Sequence, residues 1–275
     1  MKRLPLMYTD AADWFVLLTP PEHYTEEAAW VLERIPEAKS LLELGSGGGH
    51  LASHLGGVEE VVLSDLSPQM LESSKRLNPA REHVEGDMRT LRLGRDFDAV
   101  LIHDAIGYML TEQDLDAAFE TAAAHLEPGG KVIVMPDVVA EKFADDTNHG
   151  GSDHEDGRGM RYLEWQFRSQ DEDATHYDVH YSLMLRSADG SVEVIHDHHR
   201  IGLFPCKTWI ARLEAAGFEV EQEVEVINYS KWKVVELRAE LSSRGLATTG
   251  RKAELIARLE SAPTDAADSA AAAVE

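Results

Sequence analysis

The chain has 275 residues, 43% of them hydrophobic and 28% charged, which is the composition of a globular protein with one or two domains. The formal net charge of −24 means that most of the surface repels the phosphates of nucleic acids. No apolar run approaches the roughly 18 residues that a membrane span needs. Cys206 is the single cysteine, so an internal disulfide is excluded and a cytoplasmic location is expected.

Aromatic residues cluster ahead of the first predicted strand: Tyr8, Trp14, Phe15 and Tyr24. An amphipathic pattern then predicts a helix from about Thr25 to Ile35, with Thr25 as its N-cap and two glutamates in its first turn. The aromatic side chains either pack against this N-terminal segment or cover a ligand at the strand ends.

A short apolar run, Leu41–Leu44, is followed by three glycines at alternate positions, Gly45, Gly47 and Gly49. The pattern predicts a buried strand that turns sharply into a helix from His50 to Leu55. Glycines let the backbone take positive φ and come close to a ligand. We expect the free N–H groups of this loop and the helix N-terminus to attract an anionic group. The spacing is neither the dinucleotide-binding fingerprint nor a Walker phosphate loop.

Strands and helices alternate after the glycines, which indicates a parallel sheet. Val61–Asp65 is predicted as the second strand and Leu66–Leu77 as the second helix, with Ser67 as N-cap and Pro68 at the first helical position. Asp65 ends its strand about 20 residues beyond the glycines, where an acid can accept hydrogen bonds from both hydroxyls of a ribose. An N-cap role for Asp65 is the alternative, but Ser67 fits that role better.

The remaining elements of the predicted sheet follow in order. They are strands at Glu82–Glu85, Phe97–Ile102 and Lys131–Met135, and a helix at Thr111–Leu126. Two short segments directly follow predicted strands: Gly86-Asp87-Met88 after the third strand, and His103 to Met109 after the fourth. Ligands of such sheets bind outside the carboxyl ends of the strands, so both segments are predicted to face a ligand.

These elements, their spacing and the Pro128-Gly129-Gly130 step before the fifth strand resemble the class I S-adenosylmethionine (SAM)-dependent methyltransferases. The resemblance implies a Rossmann-like α/β domain with SAM as its cofactor. It also implies that the glycines hold the methionine end of SAM, Asp65 the ribose, and Asp87 with Met88 the adenine. The implied cofactor-binding residues are Tyr8, Glu43, Gly45, Ser46, Gly47, Gly49, Asp65, Leu66, Asp87, Met88 and His103.

The segment after the fifth strand predicts an insertion. Residues 137–160 are polar, acidic and glycine-rich, which is typical of a loop. Three alternating runs then predict a small antiparallel sheet, at Met160–Arg168, His176–Arg186 and Val192–Phe204, with a turn at Ala188–Gly190. The insertion resembles the substrate lid of the sugar N,N-dimethyltransferases, as do three local phrases at Ile106–Met109, Phe143–Asp145 and Ile201–Phe204. The resemblance implies a small-molecule acceptor, and we expect Trp14 and Tyr24 to bind it.

The run His196-Asp197-His198-His199, with His176 and His180 nearby, raises the question of a metal site. On a strand, His196 and His198 share one face, and Asp197 and His199 share the other. Two ligands on one face are fewer than a zinc site uses, so no metal is expected. We expect His180 and His198 to form a polar wall of the acceptor pocket, and the other histidines to face solvent.

Tyr108 departs from the sugar N,N-dimethyltransferases, which have a histidine or a similar group at this position. A tyrosine with a pKa of about 10 is a poor base at neutral pH. His103 and Asp104 are the nearest replacements, and His103, Asp104 and Tyr108 are the predicted catalytic residues. Methylation of an amine needs little base catalysis, because a neutral amine held in line with the methyl group reacts by proximity.

The C-terminal quarter predicts a helix at Trp209–Gly217, a strand at Phe218–Val226, and then a separate module. Residues 229–262 resemble a SAP module, which consists of two short helices joined by an extended turn and is often found in DNA-associated proteins. An alternative interpretation assigns Lys231–Leu237 as the last strand of the sheet. Residues 263–275 consist mainly of Ala, Asp and Ser and are predicted to be disordered.

Basic residues distinguish the SAP-like module from the acidic remainder of the chain. Residues 231–260 hold seven Lys or Arg and four Glu, a net charge of +3. A local excess of positive charge is the electrostatic signature of DNA contact. The candidate residues for this contact are Lys233, Arg251 and Lys252. The alternative is a module that docks protein or only packs, because helix faces often carry such charge.

The sequence therefore predicts a SAM-dependent methyltransferase domain at residues 1–228, with the lid at about 137–204, followed by the SAP-like module and the tail. The predicted reaction is methyl transfer to a small-molecule amine or hydroxyl, such as that of a sugar. One alternative is a nucleic-acid methyltransferase recruited by the SAP-like module, although the tetrapeptide typical of amino-methylating DNA enzymes is absent after the fourth strand. The other is a non-catalytic SAM-binding regulator. A homodimer is left open.

Overall fold

The structure is a computed structural model that describes residues 4–171, 174–222, 238, 241–242 and 245–261. The chain divides into two compact units, Met1–Val220 and Glu221–Glu275. Five strands of the first unit form a parallel sheet in the order β3-β2-β1-β4-β5. They are β1 (Ser40–Leu44), β2 (Glu60–Asp65), β3 (Glu82–Glu85), β4 (Phe97–Ile102) and β5 (Leu126–Val134). The predicted parallel α/β sheet is confirmed.

Helices accompany this sheet and give it two covered faces. The α-helices of the first unit are α1 (Phe15–Leu18), α2 (Thr25–Arg34), α3 (Pro68–Leu77), α4 (Glu112–Ala123) and α5 (Cys206–Ala215). Sheet side chains such as Leu42 and Val100 pack in one apolar cluster, and Leu41 and Leu101 pack in another. Burial on both faces explains why β1, β2 and β4, at the centre of the sheet, are mostly apolar. No helix among the described residues is long and apolar enough to cross a membrane.

The two predicted helix starts differ in outcome. Ser67 caps α3 as predicted: its hydroxyl accepts a hydrogen bond from the Met70 N–H (3.1 Å), and Pro68 is the first helical residue. Thr25 is not an N-cap, because a 3-10 turn at Pro21–Tyr24 runs directly into α2 and makes Thr25 its first residue. The Thr25 hydroxyl instead donates to the carbonyl of Glu22 (3.0 Å).

The helix predicted at residues 50–55 is wrong. Only a short 3-10 turn, Ala52–His54, follows the glycines. The physical reason is length: six residues separate the last glycine of the loop from Gly56-Gly57, too few to repay the cost of nucleating an α-helix. β5 also differs from the prediction, since it begins at Leu126, which pairs with Phe97 ahead of an irregularity in the register.

The inserted lid is an antiparallel sheet of four strands in the order β6-β7-β8-β9. These strands are β6 (Asp146–Gly150), β7 (Gly159–Arg168), β8 (His176–Arg186) and β9 (Val192–Gly202). Three of them were predicted, with bounds within two residues and the turn at Ala188–Gly190. The sequence missed β6, because its five residues are polar or glycine and mostly exposed, and therefore lack apolar alternation.

The lid contacts both the N-terminal segment and the turn that follows β4. Met7 and Leu17 of the N-terminal segment share an apolar cluster with Met160 and Leu183 of the lid. At the end of β9, a Cβ placed on Gly202 would lie only 2.2 Å from the carbonyl oxygen of Met109, which follows β4. The end of β9 therefore lies directly against the turn that follows β4.

The predicted strand at Phe218–Val226 is only partly described. Residues 218–222 have no regular structure, and residues 223–226 and the alternative strand at Lys231–Leu237 lie outside the described residues. In the second unit, helix α6 (Lys252–Ser261) places Leu255 and Leu259 in an apolar cluster with Leu241. Leu246 and Ile256 pack against that cluster. The predicted tail lies outside the described residues.

Candidate active site at the strand ends

The glycine loop after β1 is tied to the end of β2. The N–H groups of Gly45 and Ser46 both donate to the carbonyl of Ser64 (2.7 and 2.9 Å). The Gly47 N–H donates to Oδ2 of Asp65 (2.8 Å). The expectation that these N–H groups are free for an anion is therefore wrong, because the protein itself satisfies them. The loop is held in one shape by β2.

Glycine is required at two positions of this loop by close contacts and by positive φ. At Gly45 (φ +81°), an added Cβ would lie 2.3 Å from the Cβ of Ala105 and 2.8 Å from the Cε of Met88. At Gly49 (φ +72°), it would lie 2.2 Å from the hydroxyl of Ser74. These glycines let the loop, the turn after β4 and α3 approach one another, and they place Met88 beside the end of β1.

Glu43 and Ser46 carry buried polar atoms without a hydrogen-bond partner among the described residues, Glu43 Oε2 and Ser46 Oγ. Burial raises the pKa of Glu43 to about 8, the charge of His103 opposes that effect, and the charges of Asp65 and Asp104 add to it. An unpaired buried carboxyl is costly unless a ligand completes its hydrogen bonds. The α-ammonium group of SAM supplies such a partner, so the residues present fit this cofactor.

Asp65 lies at the end of β2, and both of its carboxylate oxygens accept hydrogen bonds from the backbone. Oδ2 accepts from the Gly47 N–H and Oδ1 accepts from the Ser67 N–H (2.8 Å each). Burial raises the pKa of Asp65, and these backbone donors act against the increase. Each oxygen retains a lone pair for a ribose hydroxyl. The neighbouring Leu66 is 39% exposed, an apolar surface that a ligand at this position would cover.

Asp87 and Met88 follow β3. Asp87 is held by Arg89, whose Nη2 lies 2.6 Å from Asp87 Oδ2, and Arg89 also contacts Asp114 (2.8 Å). The hydrogen bonds from Arg89 lower the pKa of Asp87, so this carboxylate is charged and fixed in place. Met88 is buried beside Gly45. The sequence did not point to Arg89, because arginines in loops carry no motif of their own.

Carboxyl groups surround His103 at the end of β4. Its Nε2 lies 3.2 Å from Glu27 Oε2 and its Nδ1 lies 3.3 Å from Asp104 Oδ2. The Asp104 side chain also hydrogen-bonds that of Asp137, which follows β5. Desolvation raises the pKa of Asp104 to about 6, and the charge of Glu27 adds to this increase. Both ring nitrogens of His103 face carboxyl groups, so the ring is held rather than open to an acceptor.

The sequence missed two acidic members of this group, Glu27 and Asp137. Glu27 lies on α2, where it was interpreted only as a helix-start charge. Asp137 follows β5 in a segment assigned to the loop, yet its position at a strand end was a usable signal.

Tyr108 lies in the 3-10 turn Asp104–Tyr108 and is part of a chain of polar contacts. Its hydroxyl lies 2.9 Å from the Tyr8 hydroxyl and 2.7 Å from His199 Nδ1. His199 Nε2 lies 3.0 Å from Asp197 Oδ2. His199 is buried, so the expectation that it faces solvent is wrong. Asp197 and His199 share a face of β9 as predicted, and that face is the inner one.

His180 and His198 lie on the outer face of the lid, apart from the strand-end residues. Their rings stack on each other with centroids 4.3 Å apart, and His198 Nε2 contacts Asp178 (2.6 Å). The pocket-wall prediction is therefore corrected: the two-residue period of β9 that turns His199 inward turns His198 outward. Among the described residues, no group of three His, Cys, Asp or Glu side chains has an arrangement that could hold a metal ion.

The aromatic residues that were predicted to contact the methyl acceptor or the cofactor lie in different parts of the structure. The Tyr24 ring lies edge-on to His103, with centroids 5.9 Å apart, and so belongs to the strand-end group. Trp14 packs against the apolar cluster between the N-terminal segment and the lid, beneath the guanidinium of Arg158 (5.3 Å). Tyr8 contacts Tyr108, and its backbone carbonyl accepts a hydrogen bond from Ser67 (2.5 Å). The N-terminal segment therefore reaches the ends of β2 and β4.

In the second unit, Arg251 and Lys252 are exposed at the start of α6. The Arg251 N–H donates to the Glu254 carboxylate (2.8 Å). Lys233, the third predicted nucleic-acid contact, lies outside the described residues.

Comparison with known proteins places this geometry in a family. A methyltransferase domain model matches residues 41–130, and a SAP domain model matches residues 228–262. The chain is 36% identical over 221 residues to the dTDP-3-amino-3,4,6-trideoxy-alpha-D-glucopyranose N,N-dimethyltransferase of Streptomyces venezuelae, which covers 78% of this chain and 91% of that protein.

Two solved structures are similar in fold. The crystal structure of Streptomyces venezuelae DesVI superposes with a TM-score of 0.69 at 31% identity, covering 78% of this chain and 91% of that one. SAM-bound CalS10, an amino pentose methyltransferase from Micromonospora echinaspora, gives a TM-score of 0.60 at 28% identity, covering 70% of this chain and 83% of that one. The chain therefore belongs to the class I SAM-dependent methyltransferases, in the family of the sugar N,N-dimethyltransferases.

Proposed function

We propose that this protein transfers methyl groups from SAM to the amine nitrogen of a small-molecule amino sugar, and that it does so twice on the same nitrogen. The similar Streptomyces venezuelae protein is named for N,N-dimethylation of an amino sugar, and it is matched over 91% of its length. SAM supplies an electrophilic methyl carbon attached to a sulfonium and leaves as S-adenosylhomocysteine. The remaining chemistry belongs to the residues of this chain.

Residues at the ends of β1, β2 and β3 are proposed to hold the cofactor. The unpartnered Glu43 oxygen takes the α-ammonium group, the Asp65 carboxylate takes the ribose hydroxyls, and Asp87 with Met88 takes the adenine. Glu43 is 2% exposed, so a charged partner there is strongly preferred over water. This unsatisfied carboxyl is the observation that carries the cofactor assignment.

The acceptor is proposed to bind above β4, where the carboxyl groups of Glu27, Asp104 and Asp137 converge around His103. Several carboxyl groups attract an amine, which carries a positive charge in solution, and repel an anionic group; the amine reacts in its neutral form. An amine also suits a site without a strong base on its surface, because its lone pair attacks directly once placed in line. A hydroxyl would need to lose its proton as it attacks.

Transfer of labelled methyl groups tests this proposal. The acceptors are dTDP-3-amino-3,4,6-trideoxy-alpha-D-glucopyranose, for which the Streptomyces venezuelae protein is named, the corresponding free amino sugar, and matched sugars with a hydroxyl in place of the amine. We expect mono- and dimethylated amines and at least about a 100-fold preference for the amine. Methylation of the hydroxyl sugars at a similar rate would contradict the amine assignment. Tight SAM binding without transfer to any acceptor would instead favour the non-catalytic regulator.

For the whole chain, we propose a methyltransferase domain at residues 1–228 with the lid at 137–204, a SAP module at 229–262 and a tail at 263–275. The SAP match and the local net charge of +3 support contact with DNA through Lys233, Arg251 and Lys252. Deleting residues 228–275 should abolish salt-dependent binding to duplex DNA and leave methyl transfer intact. Retained DNA binding would contradict this assignment.

We also propose that the protein works in the cytoplasm as a homodimer. The outer face of the lid exposes large apolar side chains, namely Leu163, Trp165, Met184, Val192 and Val194. An apolar surface of this kind is typical of an interface. Sedimentation of the wild type and of a Trp165→Glu variant tests it, because the variant should be monomeric if the lid face is the interface.

A further inference from the structure

A row of hydrogen bonds runs from the turn after β4 into the lid. It joins the hydroxyl of Tyr108 to His199 Nδ1 (2.7 Å), and His199 Nε2 to Asp197 Oδ2 (3.0 Å). His199 is 6% exposed and Asp197 is 4% exposed. A buried Asp–His pair that ends on a hydroxyl is an arrangement that can move a proton, because each member can give or accept one along the row.

The ionisation state of Asp197 determines which partner donates the proton in each of these hydrogen bonds. Burial alone would raise the pKa of Asp197, but the hydrogen bond from His199 and the backbone N–H groups of Met7 and Leu6 outweigh it and lower the pKa to about 2. The ionised carboxylate accepts from Leu6 (2.9 Å) and Met7 (2.8 Å), and it therefore takes the Nε2–H of His199. In the tautomer with the proton on Nε2, Nδ1 is free to accept from the Tyr108 hydroxyl, whose single proton can turn between this nitrogen and the Tyr8 hydroxyl (2.9 Å).

Close packing fixes this geometry. A Cβ on Gly107 would lie 2.9 Å from the Cγ2 of Ile201, and one on Gly202 would lie 2.2 Å from the Met109 carbonyl. Gly107 and Met109 flank Tyr108 in the turn, and Ile201 and Gly202 follow His199 on β9, so these contacts hold this part of β9 against the turn that carries Tyr108. Tyr108 also lies just past the end of β4, on the side proposed for the acceptor.

We propose that Tyr108, His199 and Asp197 form a proton relay that deprotonates the acceptor amine between the two methyl transfers. The proposal rests on the proposed function, because it concerns the same acceptor. After the first transfer the nitrogen is a secondary ammonium without a lone pair. Its proton passes to Tyr108 Oη, the Tyr108 hydroxyl proton passes to His199 Nδ1, and the imidazolium is stabilised by the Asp197 carboxylate. The nitrogen regains its lone pair, and no oxidant or reductant is needed.

This relay accounts for the tyrosine at position 108. Tyr108 alone is a poor base, since burial raises its pKa well above the ordinary value for a tyrosine. With His199 behind it, Tyr108 never needs to become a tyrosinate, because it gains one proton as it gives up another. The ionisable groups that face the relay are Tyr8, Tyr181, Glu164 and Asp137.

The ratio of dimethylated to monomethylated product tests the relay. In His199→Asn, we expect the second transfer to slow by about tenfold to 100-fold at about pH 7, so that the monomethyl amine accumulates. The second transfer should recover at about pH 9.5, where more of the ammonium loses its proton to solvent. Tyr108→Phe, which removes only a hydroxyl, should behave in the same way, and the double variant should be no slower than either single variant.

His196→Asn is the matched control, since His196 lies three residues away on the outer, exposed face of the same strand. The control should dimethylate as the wild type does. SAM affinity, measured for every variant, separates loss of the relay from loss of folding. Full dimethylation by His199→Asn or by Tyr108→Phe at about pH 7 would overturn the proposal.

A second measurement does not depend on the acceptor. Nitrogen NMR of histidine-labelled protein bound to S-adenosylhomocysteine should show His199 with a protonated Nε2 and an unprotonated Nδ1, and Tyr108→Phe should shift the Nδ1 signal. A protonated Nδ1 in the neutral ring would overturn the relay even if the wild type dimethylates an amine. A wild type that methylates none of the acceptors would contradict the proposed function, and the NMR result would still decide the relay geometry.

Discussion

SAM binding is predicted to release nearly one proton at about pH 7, with the Glu43 carboxyl as its source. At a pKa of about 8, about nine tenths of the Glu43 side chains are protonated at pH 7 and about one tenth at pH 9. An ammonium group placed against Oε2 favours the charged carboxylate, so binding should drive the proton off. The expected release is therefore about 0.9 proton at pH 7 and about 0.1 at pH 9.

The same carboxyl makes the unliganded protein less stable as pH rises. In the unfolded chain Glu43 ionises near its ordinary pKa of 4.5, whereas in the folded chain it keeps its proton up to about pH 8. The free energy of unfolding should therefore fall across this window, by at most about 5 kcal/mol at roughly 1.4 kcal/mol per pH unit. Glu43→Gln removes this slope, so the variant should be more stable than the wild type above about pH 8.

Calorimetry in buffers of different ionisation enthalpy measures the proton release directly. The slope of observed binding enthalpy against buffer ionisation enthalpy should be near 0.9 for the wild type at about pH 7 and near zero for Glu43→Gln. The variant should also bind SAM about tenfold to 100-fold more weakly, because it loses a charged hydrogen bond. Glu59→Gln is the control, because Glu59 is exposed and lies just before β2, at the opposite end of the strands from Glu43. A wild-type slope of zero, or an unchanged slope in Glu43→Gln, would refute the assignment.

Three further predictions concern the loop, the ribose site and the core. Gly49→Ala should abolish SAM binding and lower the melting temperature, because its Cβ would lie 2.2 Å from the Ser74 hydroxyl. Gly94→Ala is the control, since Gly94 has a similar positive φ but no neighbour within 4 Å; it should lower the free energy of unfolding by only about 1–2 kcal/mol. Asp65→Asn should weaken SAM binding at least about tenfold in calorimetry, and unchanged affinity would count against the ribose assignment. Phe119→Ala should lower the free energy of unfolding by about 3–5 kcal/mol in denaturant titrations, since the ring is fully buried; a loss below about 1 kcal/mol would contradict this packing.

The parallel sheet was predictable because its strands are short apolar runs bounded by clear breaks. β4 (Phe97–Ile102) has the predicted bounds, and β1 (Ser40–Leu44) and β2 (Glu60–Asp65) each begin one residue before the predicted strand. Apolar periodicity reports burial, and burial on both faces of a parallel sheet leaves a strong signal. β6 was not predictable in this way, since its polar residues are held by backbone pairing with β7 rather than by burial.

The positions of the proposed cofactor residues in the sheet were predictable because strand ends occur in a known order in this topology. Glu43 is the next-to-last residue of β1, Asp65 is the last residue of β2, and Asp87 follows β3 by two residues, so all three lie at the carboxyl ends of the strands. The hydrogen bonding of the glycine loop was not predictable, because the donors of Gly45 and Ser46 are satisfied by Ser64, on another strand.

The acceptor side depends on pairings between distant segments, which a single sequence does not reveal. Tyr108 and His199 are 91 residues apart, and Asp197 and Met7 are 190 apart, yet both pairs are hydrogen-bonded. The alternation along β9 did separate His199 from His198, but it did not say which face is inward. Apolar Ile201 on the His199 side, set against Arg200 on the His198 side, is the signal that would have decided it.

Equilibrium dialysis of the purified chain against labelled SAM is the decisive measurement, because the proposed methyl transfer requires this ligand at the ends of β1, β2 and β3. The account predicts one bound molecule per chain, displaced by unlabelled S-adenosylhomocysteine and lost in Gly49→Ala. No retained label in the wild type, or label that S-adenosylhomocysteine does not displace, would contradict it.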